Sequence, residues 1–85
     1  MNNKNRAETI ISILERKGGV PGASIDEKLA YRFLDKGHID SLGIMGFIME
    51  IEEIFDIELS PEDTQSEEFR CIGGLVNLIN QKLNG

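Results

Sequence analysis

Apolar residues recur along this chain at helical spacing, and they predict four helical segments. Ala7, Ile10, Ile11 and Leu14 repeat at i, i+3, i+4, i+7, with Ile13 beside them. They predict a helix over Lys4–Lys17, closed by the basic pair Arg16-Lys17 and stopped by Gly18-Gly19. A second stripe, Leu42, Met45, Ile48 and Phe55, is flanked by Phe47, Ile51 and Ile54 and predicts a helix from Ser41 to Phe55. Its circumference is mostly apolar, which predicts a central position in the fold, with Glu50 and Glu53 on the remaining face. Ile72, Leu75, Val76, Ile79 and Leu83 predict the last helix, beginning weakly at Gly73-Gly74. Ser60-Pro61-Glu62-Asp63 reads as a capping serine, a proline in the first turn and acids behind it, so a short helix falls within Pro61–Phe69.

Between the first two long helices lies a connection of about twenty residues, unusually long for a small domain. Val20, Ile25, Leu29, Tyr31, Phe33 and Leu34 punctuate it, so it should lie down on the core. Tyr31 and Phe33 are its expected anchors. Ser24 and Glu27 stand at capping-box spacing and predict a short helical turn near Asp26–Tyr31. No segment predicts a strand pair. The expected fold is all-α: a bundle of four helices, three longer and one short third helix, with a long loop between the first and second. Its 85 residues form one domain, 1–85.

Composition narrows the functional classes. Cys71 is the single cysteine, which excludes an internal disulfide or a cysteine-based zinc site. No apolar run approaches the roughly 18 residues of a spanning helix, and the basic start Met1–Arg6 leads into no apolar signal core. A cytoplasmic protein that does not insert in membranes is expected. The net charge is −6. Its distribution matters more than its sum, because no Lys or Arg occurs from Gly37 to Phe69, a stretch with ten acids. That field repels nucleic acid and favours partners with basic patches.

The candidate chemistry sits where the long connection meets the second helix. Asp40 is placed to cap the helix start, leaving Ser41 in the first turn with its hydroxyl outward. A phosphate on that hydroxyl would meet the positive end of the helix dipole, an interaction worth about 0.3–1 kcal/mol. Leu42 and Ile44 flank the serine as apolar residues. Gly43 and Gly46 weaken the helix by about 1 kcal/mol each relative to alanine, so something local needs the space or a pliable turn.

Phe33-Leu34-Asp35-Lys36-Gly37-His38-Ile39-Asp40-Ser41-Leu42 resembles the stretch that precedes the attachment serine in the acyl carrier and peptidyl carrier family. Glu50-Ile51-Glu52-Glu53-Ile54-Phe55-Asp56-Ile57-Glu58-Leu59 resembles the end of that family's second helix and the following turn. The resemblance covers nearly the whole chain, through Leu83. It implies a carrier that is not itself an enzyme. Ser41 would receive 4′-phosphopantetheine from coenzyme A through a magnesium-dependent phosphopantetheinyl transferase, with Asp40 helping that transferase engage. The arm's thiol would carry acyl or aminoacyl groups as thioesters to loading and transferring enzymes. Leu42, Ile44, Met49, Glu50 and Glu53 would face those partners, and a monomer is expected. Ile39, Gly43, Ile44 and Gly46 depart from the pattern common in fatty-acid-synthesis carriers, which points to a specialised stand-alone role.

Three other functions fit parts of the pattern. Ser41, His38 and Asp40 are the residue types of a hydrolytic triad, but they sit within four residues and no Gly-x-Ser-x-Gly elbow is present. His38 reads as a solvated loop residue. Asp56, Glu58, Ser60, Thr64 and Glu67 fall at calcium-loop spacing, yet Pro61 occupies the position that requires glycine. An unmodified acidic adaptor domain predicts the same fold and charge. Cys71, Met45 and Met49 read as packing residues, and Met49 also as an adaptable partner contact.

Overall fold

The structure, a computed structural model, describes residues 3–84. Met1, Asn2 and Gly85, part of the expected domain, lie outside the described residues. These form five α-helices and one 3-10 turn: α1 (Asn3–Glu15), α2 (Ile25–Leu29), α3 (Gly43–Phe55), α4 (Pro61–Thr64), the 3-10 turn Glu67–Arg70, and α5 (Ile72–Asn84). The all-α expectation holds. The long connection contains a helix of its own, α2, where a short helical turn near Asp26–Tyr31 was expected. Its capping is half as foreseen: the Ser24 side chain accepts from the Glu27 amide. The reciprocal bond lands one residue earlier, with Glu27 accepting from the Ala23 amide at 2.6 Å.

α1 and α5 dominate the core. Ala7, Ile10, Ile11, Ile13 and Leu14 are buried from one, and Ile72, Leu75, Val76, Leu78 and Ile79 from the other. α1 ends at Glu15, two residues before the expected Lys17. The reason is that the Leu14 carbonyl accepts from the Lys17 amide, tightening the chain into a turn. Arg16 then turns its guanidinium to Glu50 of α3.

The expectation of a central second helix is corrected. α3 buries only Phe47, Ile51 and Phe55, one stripe at four-residue spacing. Met45 and Met49 are each 62% exposed and Ile54 is 44% exposed. Apolarity around a helix records what its surface is made of, and a domain this small covers only one side of it. The far side is left for something other than the core.

Local signals set the remaining elements. Ser60 and Asp63 make a full capping box at the start of α4: the Ser60 side chain accepts from the Asp63 amide, and the Asp63 carboxylate accepts from the Ser60 amide. Asp63 also pairs with Lys82 of α5 at 2.6 Å. Cys71, read as a small packing residue, is half-buried, and its Sγ accepts from the Gly74 amide at the head of α5. The connection is tied to the 3-10 turn by the Leu34 amide on the Arg70 carbonyl, and to the head of α5 by the Ile72 amide on the Tyr31 carbonyl. Asp35 stands between Arg32 (2.6 Å) and Arg70 (2.5 Å), and Arg32 also reaches Glu67 at 2.9 Å.

Candidate functional site

Three fixed points deliver the chain to the head of α3. Phe33 is fully buried and Ile39 is buried, so both ends of the approach are anchored in the core. His38 lies between them, and its expected place in solvent is corrected. The ring is half-buried; its Nε2 donates to the Leu14 carbonyl at 2.9 Å, and its Nδ1 lies 2.9 Å from the Tyr31 hydroxyl. A carbonyl only accepts, so Nε2 carries the proton and in the neutral ring Nδ1 accepts from Tyr31. The two rings meet edge to face with centroids 5.4 Å apart. His38 therefore clasps the end of α1 to the approach segment. Both ring nitrogens are engaged, and the hydrolytic reading has no base for Ser41.

After Ile39 the chain turns outward. Asp40 is exposed, yet its Oδ1 accepts from the Gly43 amide at 2.7 Å, and its carbonyl accepts from the Gly43 and Ile44 amides. The regular helix starts at Gly43, two residues later than the expected Ser41, with Leu42 as the flanking residue. Leu42 makes no side-chain cap, so the cap comes from Asp40 across the turn Ser41-Leu42. Gly43 is what admits this approach. A Cβ there would lie 3.0 Å from the Ile39 methyl and 3.2 Å from Asp40 Oδ1. Gly46 has no such neighbour: a Cβ added there meets nothing within 4 Å.

Ser41 is thus held exposed in the turn just ahead of a thirteen-residue helix. First-turn amides and the positive end of the helix dipole favour a negative group attached at this point. The residues fit a phosphodiester: an accessible hydroxyl, nearby backbone donors, and Asp40 fixing the turn without covering the serine.

Around the serine, the five residues expected to face partners divide. Leu42 is 90% exposed, Met49 is 62% exposed and Glu53 is exposed, all on one side of α3. Ile44 and Glu50 depart from that side. Ile44 is half-buried and packs against the core, three residues before Phe47 on the buried stripe. Glu50 turns to the flank, where Arg16 of α1 holds it. Met45, read only as a packing residue, joins the outward side at 62% exposure. Its spacing of three from Leu42 and four from Met49 was the available signal. No helix among the described residues is long and apolar enough to cross a membrane.

A family model described as "phosphopantetheine attachment site" matches residues 8–79. The chain is 35% identical over 72 residues to an acyl carrier protein of Clostridium acetobutylicum, covering 85% of this chain and 88% of that protein. It is 46% identical over 50 residues to an acyl carrier protein of Buchnera aphidicola, covering 59% of this chain and 61% of that protein. No solved structure matches it.

Proposed function

The chain belongs to the acyl carrier family, whose members carry rather than catalyse and bear a phosphopantetheine attachment site, and from that membership we propose that Ser41 is its point of attachment. The observation that supports this most directly is the exposed serine held in a capped turn at the head of α3. When bound, the group supplies a terminal thiol that holds acyl or aminoacyl groups as thioesters.

In the loading step the Ser41 Oγ attacks the pantetheine-side phosphorus of coenzyme A. A P–O bond forms to Oγ while the P–O bond to the adenosine bisphosphate breaks, and the hydroxyl proton passes to a base of the magnesium-dependent transferase. Asp40 acts beforehand: by capping the Gly43 amide it holds the turn open to the enzyme. Leu42, Met45 and Met49 present apolar surface to partners, and Glu53 offers a charge to their basic residues. Glu50 contributes less to that face because Arg16 already holds it. The apolar side chains and glycines near Ser41 fit a specialised pathway in the cytoplasm better than housekeeping fatty-acid synthesis. The protein works as a monomer.

Intact-mass spectrometry after incubation with coenzyme A, magnesium and a broad-specificity transferase tests this reading, with Ser41→Ala alongside. One added phosphopantetheine on the parent and none on the variant is the expected result. A parent that stays unmodified with several transferases would refute it.

A further inference from the structure

Phe33, Phe47 and Phe69 come from the long connection, α3 and the 3-10 turn, and their rings meet in the core. Ring centroids lie 5.6, 6.1 and 6.4 Å apart with planes inclined by about 65°. The residues are 0%, 0% and 1% exposed. Such edge-to-face contacts lock three rings together beyond simple burial. Phe47 lies on the core side of the helix that Ser41 precedes, so a chain attached to Ser41 that entered the interior beneath α3 would meet these rings. Ile51, Ile72, Leu75 and Ile79 are fully buried as well.

The segments carrying Phe33 and Phe69 are also fastened to each other. The Leu34 amide donates to the Arg70 carbonyl, and Asp35 bridges Arg32 and Arg70. Parting Phe33 from Phe69 means breaking the ties that cross between their two segments. Two of the surface depressions do not serve instead. One of about 420 Å³, lined in part by Ala7, Ile25, Leu29 and Val76, includes no residue of α3 or of the Ser41 turn. One of about 480 Å³ beside Met49 is lined by Glu52, Glu53 and Glu58 together with Ile57 and Leu59. A long alkyl chain gains by leaving water in proportion to its methylenes. In this fold packed rings and aliphatic side chains occupy the place where that gain would be found.

We propose that this carrier holds its cargo outside the helical core, and that the cargo is a short or polar acyl group, not a long alkyl chain. The inference rests on Ser41 as the attachment point. The test loads the full chain from butanoyl-, octanoyl- and dodecanoyl-coenzyme A with a broad-specificity transferase. Intact mass is read first: no acyl-phosphopantetheine on Ser41 sinks the attachment reading and leaves the cargo inference behind with it. Each loaded protein then meets hydroxylamine, whose nitrogen attacks the thioester carbonyl. The C–S bond breaks, giving the hydroxamate and the free thiol. Rates are normalised to the same acyl-pantetheine free in solution. A chain buried nine-tenths of the time would be cleaved about tenfold more slowly. The expected normalised rates agree within about twofold across the three lengths. Protection that grows with chain length overturns the inference. Phe69→Leu loosens the ring cluster and is expected to give dodecanoyl protection that the parent lacks; the parent series decides the matter even if that variant folds poorly.

Discussion

Two Gly→Ala substitutions in helices should move stability in opposite directions, and the structure gives the reason. In a helix interior, alanine is favoured over glycine by about 0.8–1 kcal/mol. At Gly46 nothing opposes that gain, because the added Cβ meets nothing within 4 Å. At Gly74 the Cβ would lie 2.3 Å from the Glu68 carbonyl oxygen and 2.8–2.9 Å from that residue's Cα and carbonyl carbon. An ordinary C···O contact is about 3.3 Å or more, so a shift of about 1 Å is required. The obstacle is backbone and cannot rotate away. The 3-10 turn must shift relative to α5, which disturbs the contacts Phe69 makes with Phe33 and Phe47. Overpacking costs about 1–3 kcal/mol, and disturbing aromatic pairs about 0.5–1.5 kcal/mol each. Set against the helix gain, Gly74→Ala should destabilise by about 2–3 kcal/mol. At about 4–8 °C per kcal/mol for a domain this size, its thermal midpoint falls by about 10–20 °C, while that of Gly46→Ala rises by about 3–8 °C. Thermal unfolding followed by far-UV circular dichroism measures both. A Gly74→Ala midpoint within about 2 °C of the parent would show that the close packing of α5 on the 3-10 turn is not what requires glycine.

Removing the cap with Asp40→Ala should cost about 1 kcal/mol in urea unfolding, whereas Asp40→Asn keeps the cap and so isolates the carboxylate's part in transferase engagement. The clasp at His38 predicts that His38→Ala and Tyr31→Phe are coupled by about 1 kcal/mol in a double-mutant cycle; additive losses would argue against it. Hydrogen bonds from Arg32 and Arg70 hold the Asp35 carboxyl below its ordinary value of 3.8, and Lys82, foremost, does the same for Asp63. Stability from both carboxylates is therefore full above 3.8 and lost as pH falls through their folded values. Asp35→Asn should lower stability at neutral pH and flatten that acid limb, as read by urea midpoints across acidic pH. Leu42→Ala and Met49→Ala should leave stability within about 0.5 kcal/mol, since both side chains are exposed, while raising the KM of a partner enzyme for the loaded carrier.

What the sequence determined by itself was local. Helical spacing placed α1, α3 and α5 to within about two residues, and Ser60-Pro61 followed by acids placed α4. Each of these signals is carried by residues within one or two turns of one another, the range over which capping bonds and side-chain stripes act. Asp40-Ser41-Leu42 was legible as a helix start for the same reason. Facing was not legible from apolarity alone. Phe47-Ile51-Phe55 and Leu42-Met45-Met49 are both apolar series on one helix, and only packing against the rest of the bundle decides which series is covered. Met45 therefore read as core and stands in solvent, while Ile44 read as surface and leans on the core. The tertiary structure also decided what distant residues do to each other. His38 meets a carbonyl 24 positions away and Glu50 meets a cation 34 positions away. Those pairings exist only after helices dock, because hydrogen bonds and ion pairs act over a few ångströms while the sequence fixes only separation along the chain.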